Sequence, residues 1–267
     1  MQRLLDEYDR GGYDLSSLRL VTYGSSPARP ALIRRTMDTF GCELMQLYGI
    51  TECTGGWVSF LHHDDHLRGL AERPELLTSC GRAGVHMELS IRDEHGAAMP
   101  PGEQGEVWIR SSTNMLGYLN LPDQTAQALS DGWLRTHDLG RLDADGYLYL
   151  TDRKNFLIIS GAANVYPSVV ETVLAEHPAV REVAVIGAPH PEWGEAVVAT
   201  VSLREGAHVT AAELLEFCRP RLAKYELPKH IEIVADLPKG LTGKILKKSI
   251  QGWYKDDPAR LPWKPVD

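Results

Sequence analysis

Between Leu18 and Tyr48 short apolar runs flank a single helical period, and few folds accommodate that order. Leu18 to Gly24 reads as a buried strand that breaks at Gly24-Ser25-Ser26-Pro27. From Pro30 to Phe40 the apolar residues Leu32, Ile33, Met37 and Phe40 recur at helical spacing, and Glu43 to Tyr48 is a second strand. Strand, helix and strand in so few residues make one right-handed crossover unit of a parallel sheet. Ligands of such sheets bind beyond the carboxyl ends of the strands. Two loops lie there, Gly24-Ser25-Ser26-Pro27 and Tyr48-Gly49-Ile50-Thr51-Glu52. In the second loop a planar base can stack on Tyr48, Thr51 can reach a phosphate, and Glu52 can hold a magnesium ion, which prefers hard oxygen ligands. An ordinary strand-end turn with surface polar residues is the competing reading.

The 267 residues allow one or two domains, and 43% hydrophobic content is enough for a real core. A net charge of -8 argues against nucleic acid or an acidic membrane surface as the main partner. No apolar run approaches the length of a bilayer span, and the first residues, MQRLLDEYDRGG, are unlike a signal segment. Cys42, Cys53, Cys80 and Cys218 have no paired spacing, so reduced thiols in a cytoplasmic protein are expected. His62-His63-Asp64-Asp65-His66 is expected to be a solvated loop, because consecutive residues rarely point at one ion.

From Gly81 the pattern turns to short strands at Met87 to Arg92, Gly105 to Arg110 and Trp133 to Arg135, separated by Gly/Pro turns, which suggests a small barrel or distorted sheet. The stretch from Trp133 to Pro167 reads as a joint. It holds a polar turn at Thr136-His137-Asp138, a hairpin at Asp143 to Gly146, a charged knot at Asp152 to Asn155, and the turn Gly161-Ala162-Ala163-Asn164. Asp138 and Arg153 flank one short apolar strand and so come within reach of one ligand. Beyond the knot, Ser168 to Glu171 and Thr210 to Glu213 have the form of capping boxes opening two helices. Strands at Val183 to Gly187, Ala196 to Val201 and His230 to Val234 complete an α+β unit with its own core. Gly243-Lys244 is not a phosphate loop of the Walker type, since Pro238 stands at the first glycine and Ile245 follows the lysine. Lys244 instead sits at the tip of a Gly/Thr loop, where its amine can project into another domain's site.

In this order and spacing the motifs resemble the adenylate-forming superfamily of acyl- and aryl-CoA synthetases, luciferases and peptide-synthetase adenylation domains. The matching pieces are Tyr48 to Glu52, Gly105 to Arg110, Gly117 to Asn120, Trp133 to Gly140, Asp152 to Lys154, Asn164 to Pro167, Pro191 to Glu195 and Leu237 to Lys244. Asn164 to Pro167 and Leu222 to Lys229 look most like the acyl-CoA synthetases. The resemblance implies ATP, Mg2+ and CoA as reactants: a carboxylic acid attacks the α-phosphate to give an acyl-adenylate and pyrophosphate, and a thiol then displaces AMP. By the same resemblance Gly24, Ser25 and Ser26 line the adenine and acyl pocket, and Tyr48 and Gly49 belong to the adenine-stacking loop. Thr51 contacts phosphate, Glu52 binds magnesium, Asp138 takes the ribose hydroxyls with Arg153 beside it, and Lys244 bridges substrate carboxylate and α-phosphate. Asn155 becomes the hinge about which a mobile C-terminal domain rotates, bringing Gly161, Ala162, Trp193 and Gly194 to the CoA side.

The implied division is residues 1–80, the end of a doubly wound α/β subdomain; 81–153, a small β-barrel-like subdomain; and 154–267, an α+β lid. Three departures stand out: His137 replaces the family's usual Gly, Ala162 replaces the second glycine of the pantetheine turn, and Asn155 stands where Asp or Lys is usual. Only 47 residues precede Tyr48, none of them the Ser/Thr/Gly-rich loop that wraps the triphosphate in the family. The chain is therefore expected to correspond to a C-terminal half, inactive alone and completed by a separate N-terminal half. Adenylation for a carrier-protein thiol, or a non-catalytic nucleotide- or protein-binding remnant, are the alternatives.

Overall fold

The crossover expected from residues 18–48 forms. The computed structural model describes residues 1–9, 11–24, 28–161, 163–240 and 243–263, the Arg3 side chain excepted. Helix α1 (Gln2–Tyr8) precedes strand β1 (Leu20–Gly24), helix α2 (Pro30–Phe40) and strand β2 (Glu43–Tyr48). β1 and β2 are parallel, with Leu20 opposite Glu43 and Gly24 opposite Leu47. Pro30 opens α2 where its missing N–H is no loss, and Gly41 in the left-handed region (φ 59°) closes it. Ile33 and Phe40 are the buried anchors of that helix, with Leu32 and Met37 partly covered beside them. β3 (Ser59–Leu61) and β4 (Arg82–Ala83) complete a sheet in the order β1-β2-β3-β4.

Between β3 and β4 the His-rich segment is a helix, α3 (His63–Ala71), rather than the solvated loop expected. Asp65 accepts the backbone N–H of His62 at 3.1 Å, closing the helix start from the third position. Its other oxygen accepts the Tyr147 hydroxyl at 2.5 Å. His66 is fully buried. Its Nδ1 lies 2.8 Å from the His62 carbonyl, which can only accept, so Nδ1 carries the proton and Nε2 accepts the Tyr23 hydroxyl at 2.8 Å. Among the described residues no group of three or more His, Cys, Asp or Glu could hold a metal ion.

Burial holds the His66 imidazole below its ordinary pKa. Because the folded state prefers the neutral form, the stability this confers is complete above the unfolded value of about 6.5 and is lost as pH falls toward the folded value. The unfolding temperature is expected to decline below about pH 6.5. His230 in the second unit is shifted in the same direction by burial, so part of the decline should survive. His66→Gln should flatten the rest. An unchanged pH profile in that variant would show that His66 does not set the decline.

The second sheet contains β5 (Glu88–Arg92), β6 (Gly105–Arg110), β7 (Leu129–Ser130), β8 (Trp133–Leu142) and β9 (Leu148–Arg153), with helix α4 (Pro122–Ala128) before β7. Its order is β5-β6-β8-β7, and β9 pairs with β8. Tyr48, Val58, Ile91, Val107, Ile109, Leu134 and Leu148 share one core, so the end of β2 is packed directly onto this sheet. Everything to Leu150 forms the first of two compact units, Met1–Leu150 and Thr151–Asp267.

The second unit is built on β10 (Ile158–Ser160), β11 (Ala163–Val165), helix α5 (Pro167–Ala175), β12 (Val180–His190), β13 (Gly194–Leu203), helix α6 (Ala211–Cys218), β14 (His230–Val234) and helix α7 (Lys247–Asp256). β13 lies between antiparallel β12 and parallel β14. Val197, Ala199 and Val201 pack with Val170, Leu174, Leu214 and Cys218, while Val198 packs with Ile250 and Tyr254. Burial on both faces explains why Ala196 to Val201 reads as a nearly unbroken apolar run.

The capping box at Thr210 is present: its hydroxyl accepts the Glu213 N–H at 3.2 Å and the Glu213 carboxylate accepts the Thr210 N–H at 2.8 Å. That expected at Ser168 is not. Pro167 at the first turn moves the helix start back to Tyr166. Ser168 is thereby released to tie down residues 151–152. Its hydroxyl donates to the Thr151 carbonyl at 2.5 Å and its N–H donates to Asp152 at 2.8 Å. Glu171 instead accepts the Val185 N–H and the Lys247 ammonium, each at 2.7 Å. Burial raises the Glu171 carboxyl from its ordinary value against the pull of that lysine.

Candidate functional site

Two residues singled out in the sequence 90 positions apart meet at the seam of the first unit's sheets: the Tyr48 hydroxyl donates to Asp138 Oδ2 at 2.6 Å. Both side chains are buried. Burial, reinforced by the neighbouring carboxylate, keeps the Tyr48 phenol protonated far above its ordinary range. The turn expected at Thr136-His137-Asp138 is a bulge within β8 instead. Glu106 faces Leu139 and Trp108 faces Arg135, so residues 136–138 oppose Val107 alone. The Thr136 hydroxyl donates to the Val107 carbonyl at 2.7 Å and accepts the Asp138 N–H at 3.0 Å, which fixes the backbone that carries the acid. From Asp138 onward the in-out alternation stops, and Asp138, Leu139 and Gly140 are all buried. An acidic acceptor is thus held at the end of β2, next to an aromatic ring.

The other loop residues cluster around the same strand end. Gly24 ends β1 opposite Leu47. Ser25 and Ser26 lie outside the described residues. A Cβ on Gly49 would stand 2.8 Å from the Gly56 carbonyl oxygen, so only glycine lets that loop close back on itself. Thr51 and Glu52 begin a single 3-10 turn, Thr51–Cys53. Thr51 is exposed, and Glu52 accepts the Tyr118 hydroxyl at 2.9 Å. Glu52 offers hard oxygens but stands without a ligand cluster among the described residues.

Tyr118 was legible only as part of a motif. Its hydrogen bond to Glu52, 66 residues away, has no local signature. Its own N–H is fixed by the Thr125 hydroxyl at 2.9 Å.

The second unit carries the remaining candidates. Arg153 ends β9 and is exposed. Asn155 is the middle of a 3-10 turn, Lys154–Phe156, and is not among the residues with positive φ. Gly161 (φ 64°) does use a conformation that favours glycine, and its N–H donates to the Trp193 carbonyl at 2.8 Å. Ala162 lies outside the described residues. Gly194 opens β13 opposite Ser160.

Trp193 stacks on His190 with centroids 4.3 Å apart and an interplanar angle of 10°. The Lys229 ammonium lies 4.4 Å from its ring centre. Ser160, Trp193, Lys224, Tyr225 and Lys229 line an open cavity of about 370 Å³. The two lysines and the tyrosine were legible only within the Leu222 to Lys229 motif, without individual roles.

Residues 241–242 lie outside the described residues; around them Lys239 bridges Ile245 and the Gly240 N–H donates to the Lys244 carbonyl at 2.9 Å. Its neighbours are engaged, Lys239 with Glu182 at 2.8 Å and Lys247 with Glu171 at 2.7 Å. The Lys244 side chain is exposed.

Two family models match this chain, AMP-binding enzyme over residues 1–119 and AMP-binding enzyme C-terminal domain over residues 169–244. The medium/long-chain-fatty-acid–CoA ligase FadD8 of Mycobacterium tuberculosis is 38% identical, over 96% of this chain and 45% of its own length. The amide bond synthetase McbA of Marinactinospora thermotolerans is 44% identical with a TM-score of 0.78, over 90% of this chain and 48% of its own. The o-succinylbenzoate CoA synthetase of Bacillus subtilis, solved with ATP and magnesium, is 31% identical with a TM-score of 0.81, over 94% and 50%. The chain spans about half the length of the relatives it matches. With the motifs ordered along both units and matched by models of the same enzymes, the chain belongs to the AMP-binding enzyme family, the adenylate-forming superfamily.

Proposed function

We propose that this chain is the nucleotide-closing and lid portion of an ATP-dependent acid–thiol ligase, joining a carboxylic acid to CoA through an acyl-adenylate. The observation that carries the reading is the buried Tyr48–Asp138 pair at the end of a parallel strand, 2.6 Å apart. Tyr48 gives adenine an aromatic neighbour, and Asp138 gives the ribose hydroxyls a charged acceptor whose position is set by Thr136. Glu52 would hold magnesium, which neutralises phosphate charge when bound. Tyr118 orients that carboxylate. Lys244 supplies the mobile positive charge for attack of one anion on another. Arg153 assists at the ribose, and Asn155 is the pivot. The cavity lined by Trp193, Tyr225, Lys224 and Lys229 has the flat aromatic and cationic surface that a nucleotide-bearing thiol such as CoA needs.

A separate upstream half would contribute the triphosphate loop and most of the acyl pocket. The 44% identity to an amide bond synthetase favours a second reading of the last step, in which an amine takes the acyl group. Adenylation followed by transfer to CoA, a carrier-protein thiol or an amine can be separated in one experiment. Acyl-adenylate formed by the chain joined to an upstream half is offered each acceptor in turn. Release of AMP with CoA, and acyl-CoA as product, is expected. Turnover with an amine alone would replace the thiol reading by the second.

A further inference from the structure

His137 stands at φ 59°, a left-handed conformation that L residues avoid and that histidine visits more readily than most. It is the central residue of the bulge opposite Val107, one position before the acid that closes on Tyr48. The side chain leans back onto β6, where Nδ1 lies 3.2 Å from Glu106 Oε1. The Glu106 carboxylate is 2% exposed, and its other oxygen is 3.3 Å from the Arg135 guanidinium. A buried carboxylate is thus flanked by both neighbours on β8, one residue on each side of Thr136.

We propose that His137 is a positioning residue for the ribose-binding acid: the Glu106 carboxylate holds its imidazole, and that contact keeps the left-handed bulge in the shape that aims Asp138. The inference rests on the nucleotide reading above for what Asp138 binds. Glycine reaches this backbone shape without help because it has no Cβ to clash. A histidine there needs a compensating interaction, and the contact with Glu106 provides one. The 3.2 Å approach of Nδ1 to the carboxylate is favourable when Nδ1 carries a proton.

The test measures AMP and 2′,3′-dideoxy-AMP binding by calorimetry, and unfolding temperature, on the 267-residue chain and its variants. His137→Ala should weaken AMP roughly fivefold to tenfold, the factor one lost polar contact is worth. It should leave dideoxy-AMP within about twofold, since that ligand lacks the hydroxyls Asp138 would take. His137→Gly should bind AMP within about twofold of the parent. Glu106→Gln should weaken AMP severalfold in the parent and have little effect in a chain already carrying His137→Gly. Equal effects of Glu106→Gln in the two backgrounds, or equal losses for AMP and dideoxy-AMP in His137→Ala, would overturn the proposal.

If the parent bound neither nucleotide, the nucleotide reading would fail, and the contact would be read from the unfolding temperatures of the same variants. A non-additive shift of about 3 °C between Glu106→Gln and His137→Ala would uphold the contact. Additive shifts would overturn it.

Discussion

Lys244→Ala is expected to lower carboxylate-dependent ATP–pyrophosphate exchange roughly a hundredfold in the chain joined to an upstream half, leaving unfolding temperature unchanged. A lysine about 4 Å from a phosphate oxygen contributes ~1–4 kcal/mol, depending on how dry the site is. The reaction brings two anions together, so the contribution falls on the transition state, where each ~1.4 kcal/mol is a tenfold change in rate. The Lys244 carbonyl accepts the Gly240 N–H through the backbone alone, so removing the exposed side chain should not disturb the fold. Lys248→Ala, also exposed, is the control and should retain activity within about twofold. Lys247→Ala should behave differently from both, because Lys247 is paired with Glu171 and its loss would destabilise the second unit. If Lys248→Ala cost as much adenylation as Lys244→Ala, the role given to Lys244 would fail.

Asp138→Ala should produce the largest combined loss of stability and affinity. The Tyr48 hydroxyl would keep its burial and lose its 2.6 Å acceptor, at a cost of about 1–3 kcal/mol. AMP affinity should fall tenfold or more with the charged acceptor gone. Asp138→Asn separates the two effects. It retains an acceptor for Tyr48, so most of the stability should return, while the charge that strengthens the ribose contact does not. Recovery of both stability and AMP affinity in Asp138→Asn would show that the acid is structural only.

The parallel crossover was legible because Leu32, Ile33, Met37 and Phe40 mark one helical face and Gly41 stops it. The helix start at Thr210 and the strand at His230 to Val234 were equally local, and they form as read. Other readings failed where one local signal competed with another. Ser168 has the spacing of a cap, but Pro167 takes the first turn, and the serine turns to Thr151 and Asp152. The His-rich segment looked like a loop because its charges hid a helix whose inward face is Asp65, His66 and Gly69, with few apolar residues.

The site was legible in its motifs and illegible in its contacts. Tyr48 and Asp138, or Glu52 and Tyr118, are joined by packing of two sheets, and no periodicity records such pairs. His137 was recognisable as a departure in sequence, but its left-handed backbone and the Glu106 carboxylate behind it emerge only in three dimensions.

The chain spans about half the length of its relatives, and under the proposed function the other half supplies what adenylation requires. Carboxylate-dependent ATP–pyrophosphate exchange, measured with the 267-residue chain alone and again with an upstream half supplied, tests it most directly. No exchange from the chain alone, and exchange once the two are combined, is the expected result. Exchange at an ordinary enzymatic rate by the chain alone would contradict it.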